Sequence, residues 1–163
     1  MNLYVVRHGI AVLRGTAGYI DEERPLTDEG REKMAKAAEG MTNLISSLDL
    51  VLSSPLLRAL ETARIIAHAF KAENRLEVSK DLSPGGSMKN TLAAIAKQRA
   101  LQSVMIVGHE PDLGFLASHL LGCDGSVIEF KKGAVCCIEL PVVARGRGRI
   151  QWHLQPKLLR ELS

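Results

Sequence analysis

The stretch Leu3-Tyr4-Val5-Val6-Arg7-His8-Gly9 decides how the rest of the chain is read. Four apolar residues run into an arginine, a histidine and a glycine. A short continuous apolar run of this kind, closed by glycine, reads as a strand buried on both faces. In open α/β sheets, ligands bind beyond the carboxyl ends of such strands. Arg7 and His8 stand at that end, and Gly9 permits a sharp turn and close backbone approach to a ligand. Two cationic or potentially cationic side chains there point to an anion as the thing handled. Taken alone, the stretch is equally compatible with a strand that simply ends in polar residues.

Two later segments repeat the design. Leu50-Val51-Leu52 runs into Ser53-Ser54-Pro55, with a helix expected to start there, Ser54 capping it and Pro55 in its first position. Ser103 to Val107 runs into Gly108-His109-Glu110-Pro111, with a helix expected from Pro111 to Leu121. Between the first two strands lies a polar loop over residues 10–26, with acids at Asp21, Glu22 and Glu23. Thr27 can then cap a helix whose inward face carries Met34, Ala37, Ala38, Met41, Leu44, Ile45 and Leu48. A weaker strand over Leu76–Val78 leads to the turn-rich Asp81-Leu82-Ser83-Pro84-Gly85-Gly86. A helix is expected from Met88 to about Leu101, with Leu92, Ile95 and Ala96 inward. Val127–Phe130, Ala134–Leu140 and Ile150–Leu154 read as closing strands. Strand–helix alternation followed by strands predicts an α/β domain. Its central sheet is mostly parallel and flanked by helices, with an antiparallel C-terminal part.

At 163 residues, 46% hydrophobic and 24% charged, the chain fits one soluble domain over 1–163. A net charge of +3 without a clustered basic face argues against nucleic acid. No apolar run nears the roughly 18 residues of a membrane span, and no signal peptide is evident, so a cytoplasmic location and no membrane partner are expected. Cys123, Cys136 and Cys137 make no paired framework. Neighbouring strand residues point to opposite faces, so Cys136 and Cys137 should share neither a metal nor a disulfide, and all three cysteines read as packing residues.

The three strand ends deliver Arg7 and His8, Ser54 and Arg58, and Gly108 and His109 to one edge of a parallel sheet. Two arginines, two histidines and helix N-termini suit a dianionic tetrahedral group. Positive groups around a phosphoryl centre stabilise its equatorial oxygens, and an imidazole can serve as nucleophile. Arg24 can add a contact from the loop, unless the neighbouring acids hold it in a surface ion pair. His68 and His119 read as structural or solvated. His109, Glu110 and His119 lack the one-turn histidine spacing of a zincin, so no metal and no other cofactor is expected. Arg145, Arg147 and Arg149 alternate with glycines and read as a solvated turn.

Val6-Arg7-His8-Gly9, Arg24-Pro25-Leu26-Thr27, Ser53-Ser54-Pro55, Arg58-Ala59, Thr62-Ala63 and Val107-Gly108-His109 together resemble the histidine phosphatase superfamily. Its small SixA-type members are resembled also in the Asp81–Gly85 loop, in Lys132-Gly133-Ala134 and in length. The resemblance implies a phosphoglycerate-mutase-like three-layer sandwich, no metal, His8 as nucleophile, and Arg7, Arg58 and His109 binding and polarising the phosphoryl group; on chemical grounds His109 helps most when protonated and donating to a phosphoryl oxygen. It also implies one histidine-phosphatase-like catalytic domain without the lid or cap insertion of larger members. In another branch an aspartate after the second histidine is the acid. Glu110 stands there in this chain, a possible proton donor whose competing reading, preferred here, is a helix-start carboxylate. The substrate expected is phosphohistidine on a protein, cleaved through a phosphohistidine intermediate. A small-metabolite phosphomonoesterase and a non-catalytic phosphate-binding module are the alternatives.

Overall fold

In a computed structural model, which describes all of residues 1–163, six strands form one mixed sheet. They are β1 (Asn2–Arg7), β2 (Leu50–Ser53), β3 (Leu76–Val78), β4 (Ser103–Gly108), β5 (Val135–Glu139) and β6 (Arg149–Leu154), in the order β3-β2-β4-β1-β5-β6. The first four neighbours run parallel, and β5 and β6 add antiparallel. Helices α1 (Asp28–Thr42), α2 (Leu57–Ala69), α3 (Met88–Lys97), α4 (Asp112–Leu121) and α5 (Pro156–Glu161) cover both faces. No helix is long and apolar enough to cross a membrane. The expected α/β sandwich, mostly parallel with an antiparallel C-terminal part, is the fold observed.

The alternation along β1 shows why its apolar run is continuous. Tyr4 and Val6 pack with Met34, Met41 and Ile66 on one face, while Leu3 and Val5 pack with Leu113, Leu120 and Phe130 on the other. Each fully buried aliphatic side chain is worth about 1.5–3 kcal/mol over its exposed state. Cys137 and Cys136 divide between the same two layers, as their adjacency in a strand requires. At the start of α1, the Thr27 hydroxyl accepts from the Gly30 amide at 2.9 Å, the cap its sequence predicts.

Several expectations are corrected. The second helix begins at Leu57 with no side-chain cap; Ser54, three residues earlier, accepts from the Leu56 amide at 3.3 Å and lies 2.9 Å from His109 Nε2. Helix α3 stops at Lys97 rather than Leu101, leaving Ala96 exposed, and α1 stops at Thr42, leaving Leu44 exposed. Val127–Phe130 is not a strand, because side chains take its backbone groups. Ser118 Oγ accepts from the Val127 amide, Glu110 Oε1 from the Phe130 amide, and Arg7 Nη1 donates to the Phe130 carbonyl. Helix α5 has no counterpart in the sequence reading. It lies on α1 at Gly40, where a Cβ would overlap the Leu159 carbonyl.

Candidate active site

The carboxyl ends of β1, β2 and β4 meet because their backbones are joined just beyond the ladder. The His8 amide donates to the Gly108 carbonyl at 3.1 Å, and the Ser54 amide to that of Val107 at 2.9 Å. Thr62 ties α2 to the same point. Its hydroxyl accepts from the Gly9 amide at 3.0 Å and donates to the Arg58 carbonyl at 2.7 Å. The residue after His8 and the turn carrying Arg58 are thus held by one side chain.

A cleft of about 280 Å³ opens there, lined by Arg7, His8, Arg24, Arg58, His109 and Glu110 among others. All six site residues read from the sequence therefore come together. Arg14, Pro84 and Lys132 complete the rim. His8 is 7% exposed and His109 3%, with ring centroids 5.1 Å apart.

His8 Nδ1 lies 2.7 Å from the Gly9 carbonyl. A carbonyl only accepts, so Nδ1 carries the hydrogen and Nε2 keeps a free lone pair. Burial first, and then the charges of His109, Arg58 and Arg7, push this imidazole down to about 3 against the one bond to Gly9 that opposes them. It is neutral at physiological pH. His109 is likewise pushed down to about 3, by burial and then by Arg58. Its ring is therefore also neutral at physiological pH. A dianion beside it favours the protonated form. His109 Nε2 is 2.9 Å from Ser54 Oγ, which fixes the ring.

Arg7 Nη1 donates to the Phe130 carbonyl at 2.6 Å, which anchors the guanidinium across the cleft floor. Arg58, 2% exposed, donates through Nη1 to the Asp21 carbonyl at 2.7 Å and through Nη2 to Asp21 Oδ2 at 3.3 Å. Both arginines keep a buried Nε with no acceptor in the protein. Arg24 lines the cleft and is also paired with Asp21 Oδ1 at 2.9 Å, so it occupies both of the places open to it. Glu110 accepts through both oxygens, from Phe130 at 2.8 Å and Gly114 at 3.3 Å.

Sequence reasoning passed over the role of Asp21 and gave no specific role at the site to Ser54 or Lys132. Asp21 clamps Arg14, Arg24 and Arg58 together, and the hydrogen bond from Arg14, then the one from Arg24, hold its carboxyl far below the usual carboxylate range. The acidic run beside Arg24 was its only signal. Ser54 reads as a cap at the site edge, and Lys132 stands out only within the Lys132-Gly133-Ala134 segment of the resemblance. Of the remaining histidines, His68 pairs with Glu73 on the surface. Arg145 bonds Asp124, and Arg147 and Arg149 are exposed.

A neutral imidazole nitrogen among guanidiniums is equipped to attack a phosphoryl group, and comparison with known proteins points the same way. Residues 3–83 match the histidine phosphatase superfamily (branch 1). An uncharacterized protein of Picosynechococcus sp. is 35% identical over 162 residues, 97% of this chain and 93% of that one. A phosphohistidine phosphatase SixA homolog of Haemophilus influenzae is 30% identical over 131 residues, 75% of this chain and 78% of that one. The solved structure of the protein histidine phosphatase SixA complexed with tungstate superposes with a TM-score of 0.85 at 27% identity, over 98% of this chain and 99% of that one. The fold is the phosphoglycerate-mutase-like sandwich. This chain belongs to the histidine phosphatase superfamily, as a metal-independent phosphatase of the SixA type.

Proposed function

We propose that the chain is one catalytic domain without a lid that hydrolyses phosphohistidine on a protein, through a phosphohistidine formed on His8. The observation that carries the reading is the bond from His8 Nδ1 to the Gly9 carbonyl, which leaves a neutral Nε2 lone pair inside an anion pocket. Nε2 attacks phosphorus as the P–N bond to the substrate imidazole breaks. Water then cleaves the P–Nε2 bond, releasing orthophosphate and restoring His8. Arg7, Arg58 and His109 hold the equatorial oxygens, and Arg24 adds charge at the rim. The two unpartnered guanidinium Nε groups are donors that an oxyanion can satisfy.

The substrate class follows from the leaving group. A departing alkoxide needs an acid, since a hydroxyl sheds its proton about as reluctantly as water, near ~15.7. Imidazole leaves far more readily, its conjugate acid having a pKa of roughly 6.5. General-acid help is worth about 10²–10⁴-fold where it is needed. Glu110, the candidate that lines the cleft, already has both oxygens engaged as acceptors of backbone N–H groups. P–N bonds and activated esters therefore suit the site better than alkyl phosphates. The names of the relatives, a SixA homolog and SixA itself, support the same class. The test compares kcat/KM for a phosphohistidine protein, an aryl phosphate and a sugar phosphate. The phosphohistidine protein is expected first and the sugar phosphate last, and best turnover of the sugar phosphate overturns the assignment.

A further inference from the structure

On the α1 side of His8 lies a second hollow of about 200 Å³, separate from the cleft. Gly9, Gly30 and Gly133 give it bare walls, and Lys33, Lys132 and Arg160 supply its charges. The bareness is imposed by the backbone. A Cβ on Gly30 would overlap the Ile10 carbonyl, and Gly133 sits at φ 84°. No aspartate or glutamate lines the hollow. Lys33 pairs with Glu29 one turn back along α1, while Lys132 and Arg160 are in no ion pair. All three cations are half-buried. Three such groups from α1, α5 and the Lys131–Gly133 turn repel one another, and only the charge of Lys33 is offset by a carboxylate. Lys132 lines this hollow and the cleft alike.

We propose that the hollow is a second anion subsite, taking a carboxylate or phosphate group carried by the same substrate whose phosphoryl group lies in the cleft. The proposal rests on the phosphatase reading and refines its substrate class. The substrate bears a second negative group near the scissile phosphoryl group, either an acidic side chain beside the phosphohistidine or a second acid group on a small ester. Lys132, between the two hollows, serves both anions. Contacts of this kind at a half-exposed site are modest singly, and together should amount to about fivefold to tenfold in affinity, falling as salt rises.

Calorimetric binding to the full chain and to the double variant Lys33→Gln/Arg160→Gln tests this, since neither residue lines the cleft. One arm uses α,ω-bisphosphonates of increasing spacer length against matched monophosphonates. The other uses phosphohistidine peptides with an acidic flank against the same peptides with glutamines. The unaltered protein is expected to prefer the second anion by about fivefold or more in at least one arm, and which arm responds identifies its source. The double variant should lose that preference while orthophosphate affinity and aryl phosphate turnover stay within about twofold. No preference in either arm, or one that survives the double substitution, overturns the subsite. Absent turnover with the preference intact overturns the hydrolase reading instead and leaves the subsite standing.

Discussion

Lowering the pH from about 7 to about 5 should cost the protein about 4 kcal/mol of stability, roughly half from each of His8 and His109. Both are buried and pushed down to about 3. In the unfolded chain each titrates near its ordinary value of about 6.5. As pH falls through that value the unfolded state takes up a proton on each ring, and the folded state does not until about 3. Stability rises with pH, and so is lost as pH is lowered, wherever the unfolded state binds more protons. The contribution is therefore complete above pH ~6.5 and is lost progressively down to ~3. At pH ~5 each unfolded imidazole is ~1.5 units below its pKa, which at ~1.36 kcal/mol per unit is about 2 kcal/mol. The result does not depend on where the folded values lie, provided they are well below that pH. Ordinary carboxylates titrate beneath the same window. Urea unfolding across this range checks the expectation, in buffer free of phosphate, because a bound dianion favours the protonated rings. His8→Gln and His109→Gln should each flatten the pH dependence by about 2 kcal/mol. A glutamine variant as acid-sensitive as its parent would refute the reasoning, since the histidine replaced would then already be protonated, or relaxed into solvent, in the folded protein.

His8→Ala should abolish turnover, by at least about 10³-fold, while oxyanions still bind, because Arg7, Arg58 and His109 remain; Arg58→Ala should weaken both. Single-turnover kinetics and calorimetry separate these outcomes, and turnover retained by His8→Ala rules out the covalent route. Asp21→Asn removes the carboxylate shared by three arginines, and should lower kcat/KM about tenfold by loosening Arg58. Unchanged kinetics would mean that the arginines hold their places without it. Gly40→Ala forces a Cβ into the Leu159 carbonyl, and should lower stability by about 2–4 kcal/mol by prising α5 from α1. A thermal midpoint within a degree or so of the parent's would show that α5 shifts at no cost.

Much of this protein is legible in local pattern. Leu3–Val6 and Val104–Val107 are apolar at every position because helices cover both sheet faces, and a period of two then leaves no polar side. Thr27 caps α1 through a bond that spans only three residues. The strand-end positions of Arg7, His8, Arg58 and His109 follow from where apolar runs stop, so the residues of the cleft could be named before their distances were known. What the sequence left open depends on contacts between distant segments. Asp21 reaches Arg58 across 37 positions, and Ser54 reaches His109 across 55. Phe130 gives its amide to Glu110 and its carbonyl to Arg7, which removes a strand that its residues favour. Propensity cannot report such partners, because a side chain that takes a backbone group does so only once folding has brought it near. The neutrality of both histidines belongs to the same class. An imidazole's charge answers to the water it has lost and to the guanidiniums around it, and both are properties of the assembled interior. Sequence order placed the groups on one edge, and only tertiary packing set the charge they carry there.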